Sequence, residues 1–188
     1  MARVITEEEY KKIINTMRTG FEDNNKSYKP NNRIATALML QANLGLRRVD
    51  LMSLRLNDII ADGNRYRLNI VEEKTGKKRE FTVPADVYSY MMRYCLDNGI
   101  KPDAKIFDIS VRAIQKHLKA VCEYLKIDGV STHSFRKFFA TNIYINNNYN
   151  VVLVQELLQH SDIKTTQRYL KMSRAEVEKA INNHVCII

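Results

Sequence analysis

The chain has little cysteine, little evident β structure and no long apolar run. Its three cysteines, Cys95, Cys122 and Cys186, lie far apart, are odd in number and lack CxxC spacing, so neither a disulfide framework nor a zinc site is indicated. They read as buried small hydrophobes or, in the tail, as an inert thiol. No apolar stretch approaches the roughly 20 residues that a membrane-spanning helix needs. The N-terminus Met1-Ala2-Arg3-Val4-Ile5-Thr6 also lacks the apolar core of a signal peptide, so a cytoplasmic protein is expected. There is no Gly-x-x-x-x-Gly-Lys-Ser/Thr nucleotide loop, no carboxylate cluster suited to two metal ions and no internal repeat.

What the chain does carry is positive charge. Lysine and arginine number 30 against 21 acidic residues, giving a formal charge of +9 and a pI near 9.5. Such a surface favours a polyanionic partner, because binding releases the counterions condensed on it. Charge alone leaves a ribosomal or membrane-surface role open. The 188 residues, 45% hydrophobic and 27% charged, suit a single soluble globular domain spanning residues 1–188.

Thr6-Glu7-Glu8-Glu9 fits a capping box opening an amphipathic helix to about Thr19. Phe21 to Asn32 reads as a polar loop, and Arg33 to Leu44 is apolar enough for a central buried helix capped by Gly45. A short helix around Val49 to Leu54 follows. Arg65 to Val71 and Arg79 to Val83 alternate and are rich in strand formers, with Lys74-Thr75-Gly76-Lys77 as the turn between them. This hairpin, with a third strand near Asp58 to Ile60, is the only β structure expected. Pro84 ends it. The remainder reads as helices at about Asp86–Asn98, Val111–Leu125, Ser134–Asn147, Val151–Gln159, Ile163–Tyr169 and Arg174–Asn183. The fold class is therefore mainly α with a small antiparallel β-hairpin or three-stranded sheet, an α+β arrangement.

Taken singly, the polar residues of this framework have ordinary explanations. His133 and Arg136 are three apart and share one helical face, as a cap or surface pair would, placing them at the mouth of the core rather than inside it. Arg47 follows a glycine turn, where its guanidinium either faces a phosphate or solvates a helix end, with Arg48 as the neighbouring choice. Asp50 is either a first-turn carboxylate or an anchor for Arg47. Lys74 sits among Lys77, Lys78 and Arg79 on a charged hairpin, and Tyr169 is one of ten tyrosines.

Their order and spacing change this reading. Gly45-Leu46-Arg47 follows an apolar helix, Lys74-Thr75-Gly76 tops a hairpin, His133-Ser134-Phe135-Arg136 opens a helix, and Leu157-Leu158-Gln159-His160 precedes Tyr169 by nine residues from the histidine. The set resembles the catalytic domain of the tyrosine recombinase, or phage integrase, family, from about Ile5 to Met172. The resemblance implies that fold, with Arg47 and Arg136 as catalytic arginines, Lys74 as the hairpin lysine, His133 and His160 as the histidines and Tyr169 as the nucleophile. Lys77 is the alternative to Lys74. The implied partner is double-stranded DNA, bound by a homo-tetramer on paired sites and by a monomer or weak oligomer otherwise, without a membrane. The implied activity is site-specific recombination through a 3'-phosphotyrosine, needing no cofactor. A type IB topoisomerase-like enzyme and an inactive DNA-binding regulator are the alternatives.

The chemistry accounts for these residue types. Attack by a phenolate adds negative charge to the nonbridging oxygens, which guanidiniums grip in bidentate fashion while staying charged. Tyrosine, with an ordinary pKa of about 10, must shed its proton, and the departing sugar oxygen must gain one. The match departs from the family at Gln159, where glycine is usual, and a left-handed turn there would cost about 1 kcal/mol. It also begins at the catalytic domain, so the family's N-terminal core-binding domain is expected to be absent. The chain then stands either as a fragment of a longer integrase or near the short recombinases that invert promoter DNA. The tail, residues 173–188, either packs on its own domain or docks on a neighbouring protomer.

Overall fold

A computed structural model describes residues 2–23, 25–160 and 163–170. The chain runs α1 (Glu7–Thr19), β1 (Phe21–Asp23), β2 (Lys26–Tyr28), α2 (Asn32–Leu44), α3 (Arg48–Ser53), a 3-10 turn (Leu56–Asp58), β3 (Ile59–Asp62), β4 (Arg65–Val71) and β5 (Lys78–Val83). It continues through α4 (Ala85–Asp97), α5 (Val111–Tyr124), α6 (Thr132–Asn146), α7 (Val151–Leu158) and α8 (Ile163–Tyr169). The expected helical tail at 174–183 and its docking lie outside the described residues. No helix among the described residues is long and apolar enough to cross a membrane.

The capping box of α1 forms as expected. Thr6 Oγ1 accepts from the Glu9 amide at 3.1 Å, and Glu9 Oε2 accepts from the Thr6 amide at 2.9 Å. Ile13, Ile14 and Met17 on its inner face pack into the core. Helix α2 is buried nearly all round, through Ile34, Leu38, Leu40 and Leu44. An apolar helix without a polar face must be enclosed, and α2 runs through the centre of the main core with Phe135 of α6, Leu118 of α5 and Met91 of α4 in the same cluster. A second cluster joins Ala140 of α6, Val154 and Leu158 of α7, and Leu170 after α8.

Gly45 ends α2 in the left-handed region at φ 57, its amide donating to Gln41 O. A Cβ at this position would collide with the Phe139 ring, so close packing of α6 as well as backbone conformation requires glycine. Strands β3, β4 and β5 form an antiparallel sheet in that order, with Leu68 opposite both Ile59 and Phe81. The segment expected to be only a polar loop departs from that reading: β1 and β2 pair as a separate hairpin. Phe21 and Tyr28 stack across it at 4.4 Å, and this aromatic cross-strand pair supplies what the polar residues between them obscure. Cys95 and Cys122 are buried free thiols, as expected, and burial lifts the Cys122 thiol to about 11; Cys186 lies outside the described residues.

Candidate active site

Arg136 projects from α6 into the protein and is only 2% exposed. It lies inside the core, not at its mouth. Its Nη1 donates to Gly45 O at 2.5 Å and its Nη2 to Leu158 O at 2.9 Å. Those carbonyls belong to the C-terminal ends of α2 and α7, where unpaired oxygens and the helix dipoles concentrate negative potential. One guanidinium therefore ties two helix ends together.

Arg79 on β5 serves the same helix end from the other side, with Nη2 donating to Leu44 O and Gly45 O at 3.2 Å and Nη1 to Glu72 Oε1 at 3.3 Å. It is 1% exposed, and burial lowers its guanidinium to about 10, still charged at neutral pH. The fully buried Glu72 carboxylate also forms an ion pair with Arg47 and accepts from the Thr75 hydroxyl at 2.8 Å. Burial alone would raise the Glu72 carboxyl, but Thr75, Arg47 and Arg79 outweigh it and hold it below its ordinary value. Arg47 is thus anchored by Glu72, not by Asp50. Asp50 instead accepts from the Glu73 amide at 3.0 Å, and desolvation raises its carboxyl.

Lys74 stands exposed on the hairpin turn, as does Lys77. The turn closes through Glu72 N–H to Lys77 O at 3.0 Å and Gly76 N–H to Glu72 O at 2.9 Å. His133 lies at the surface of the first turn of α6, where the Ser131 side chain accepts from its amide. Partial burial of the ring lowers its pKa, and Arg48, Arg136, Lys137 and Lys74 lower it further. His160 follows α7, and its Nδ1 lies 3.0 Å from Thr166 Oγ1 on α8. Desolvation first, then Arg136, Arg47 and Arg79, push its pKa down to about 4, so the ring is neutral at pH 7.

Arg47, Arg79 and Arg136 all act electrostatically on His160, and Arg136 and Lys74 both act on His133, so Arg136 is common to the two histidines. Tyr169 is the last residue of α8, the helix joined to His160 through Thr166, while its side chain lies outside the described residues. An open cleft of about 430 Å³ borders His160, between Lys77 and Lys78 on the hairpin side and Gln155 and Gln159 on the α7 side. Gln159 takes the left-handed conformation that glycine would favour, at φ 50 and ψ 44. The His160 loop is nevertheless tied down, with the His160 amide donating to Gln155 O at 3.1 Å.

The family described as "Phage integrase family" matches residues 3–176. The chain belongs to the phage integrase family. Within it, the chain is 31% identical over 132 residues to the tyrosine recombinase XerA of Saccharolobus solfataricus, covering 70% of this chain and 43% of that protein. It is 26% identical over 195 residues to XerC of Caldanaerobacter subterraneus, covering 96% of this chain and 50% of the relative. The chain thus spans about half the length of these relatives. Its fold is shared with the XerH site-specific recombinase bound to palindromic difH substrate, with TM-score 0.73 and 17% identity over 95% of this chain and 52% of that one. The catalytic domain of bacteriophage HP1 integrase matches at TM-score 0.66 and 16% identity, covering 98% of this chain and 96% of that domain.

Two residues of this cluster, Glu72 and Arg79, were not among the site residues expected from the sequence. A signal for Arg79 was available: it shares the inward face of β5 with Phe81 and Val83, where a strand pattern calls for an apolar residue. A charge on that face calls for a buried counterion, and Glu72 lies just across the turn.

Proposed function

We propose that this chain is the catalytic part of a site-specific DNA recombinase that cleaves and rejoins strands through Tyr169, as one domain working in the cytosol. The observation that carries this reading is the anchored pair of arginines around a neutral His160, hydrogen-bonded to the helix that ends at Tyr169. Relatives named as recombinases and integrases support it over a strand-relaxing enzyme or an inactive regulator. The XerH recombinase, solved as a post-cleavage complex with its difH substrate, supports double-stranded DNA as partner.

In this mechanism the Tyr169 oxygen attacks phosphorus and passes its proton to neutral His133. Arg47 and Arg136 hold the nonbridging oxygens as charge develops, a contribution on the order of 3–4 kcal/mol for each donor. With the Thr166 hydroxyl donating to Nδ1, neutral His160 keeps its proton on Nε2, from which it donates to the phosphate. Lys74 protonates the departing 5'-oxygen. The bond between phosphorus and that oxygen breaks as the bond to Tyr169 forms, leaving a 3'-phosphotyrosine and a 5'-hydroxyl. Attack by another strand's 5'-hydroxyl reverses the step without an external energy source. Exchange then takes place in a tetramer on paired sites, from a monomer or weak oligomer in free solution.

The test is incubation with a nicked suicide duplex whose sequence is selected from a random library by binding. A covalent adduct that wild type forms and Tyr169→Phe does not is expected. Binding without any adduct would refute the reading.

A further inference from the structure

Leu158, Gln159 and His160 each reach a different part of the site. Leu158 O accepts from Arg136 at 2.9 Å, His160 Nδ1 meets Thr166 Oγ1 on α8, and Gln159 Nε2 donates to Lys78 O at 2.7 Å. The last contact crosses from α7 to the first residue of β5. It lands next to Lys77, whose carbonyl closes the turn by accepting from the Glu72 amide. Lys74 rides on that turn with its side chain exposed. The hairpin base is therefore held from two sides, by Glu72 within the sheet and by Gln159 from outside it.

Gln159 holds this place at a conformational cost. Its φ of 50 is one that a residue with a Cβ rarely adopts, and glycine would take it without strain. Glycine, however, has no amide to offer Lys78. The backbone carbonyl of Lys78 accepts from any side-chain amide of the right reach, so the contact depends on the length of glutamine rather than on charge.

We propose that Gln159 is a positioning residue, a tether that locks the lysine hairpin to the His160 loop and so fixes Lys74 over the leaving oxygen. This rests on the role assigned to Lys74 above. The tether makes the general acid and the His160 loop move as one unit. It acts on protonation of the leaving group and not on the grip of the arginines.

Two variants separate this from a merely strained helix end. Gln159→Met keeps the bulk and removes the hydrogen bond; Gln159→Gly removes the bond and also the strain. NMR-detected amide exchange in the free protein should quicken about five- to tenfold at Glu72 and Gly76 in both variants, with α2 and α6 unchanged. On the suicide duplex, both should cleave an ordinary phosphodiester about tenfold more slowly. On a duplex with sulfur at the bridging 5' position, whose thiolate leaves without a proton, the loss should shrink to less than about threefold. Unchanged exchange at Glu72 and Gly76, or equal slowing on both leaving groups, would overturn the proposal. If wild type forms no adduct on either duplex, the assignment of Lys74 falls and the exchange result alone decides the tether.

Discussion

Replacing Glu72 by Gln removes the only carboxylate that touches both Arg47 and Arg79 among the described residues. The residue is fully buried and Arg79 nearly so, so the change strands a charge where water does not reach. Breaking such a pair from one side typically costs about 3–5 kcal/mol. Arg79 retains Leu44 O and Gly45 O as acceptors and Asp50 as a nearby charge, which places the expected loss near the lower figure, about 3 kcal/mol. Arg79→Met should cost a similar amount, because Glu72 keeps Arg47 and Thr75 but two helix-end carbonyls lose a donor. The double variant removes both charges, so the two losses should fall short of additive by about 2 kcal/mol. Urea unfolding of the four proteins at pH 7 and low temperature measures this, since a domain of this size holds only about 5–15 kcal/mol in total. A coupling within about 0.5 kcal/mol of zero would refute the argument that Glu72 and Arg79 form one buried unit.

Three further outcomes follow from the same geometry. Arg136→Lys cannot span Gly45 O and Leu158 O with a single ammonium, so single-turnover adduct formation should fall on the order of 10²–10³-fold, and a loss under tenfold would contradict its role. Because the folded pKa of His160 is about 4, below its unfolded value of about 6.5, the unfolded state binds more protons between these values and stability falls as pH drops through that window. Wild type should therefore lose up to about 2–3 kcal/mol more than His160→Gln between pH 7 and 4, measured by urea unfolding, and parallel curves would contradict the shift. Gly45→Ala combines a left-handed backbone with a collision against Phe139 and should cost about 2–4 kcal/mol, whereas a thermal midpoint equal to wild type would show that α6 has room to yield.

The helices were legible because their signals are local. The Thr6 and Glu9 box, the Gly45 stop and the apolar run of α2 each lie within a few residues of what they specify. The β1–β2 hairpin was not, since its pairing depends on Phe21 stacking against Tyr28 across a polar stretch. In the site, the resemblance carried by residue order and spacing implied Arg47, Lys74, His133, Arg136, His160 and Tyr169, but not what holds them. Arg136 turned out to be buried because its acceptors, Gly45 O and Leu158 O, are backbone groups 91 and 22 residues away, which no local pattern exposes. At Gln159 only the cost of a left-handed turn, should one form, could be read from the sequence; the structure has that turn, and its tether to Lys78, 81 residues away, was not legible.

In the proposed reaction Tyr169 becomes covalently bonded to DNA. Proteolysis of the trapped complex, nuclease trimming of the duplex and mass spectrometry of the modified peptide test it directly. A nucleotide joined through its 3'-phosphate to Tyr169 is the expected result. A nucleotide on any other residue, or an adduct that persists in Tyr169→Phe, would contradict it.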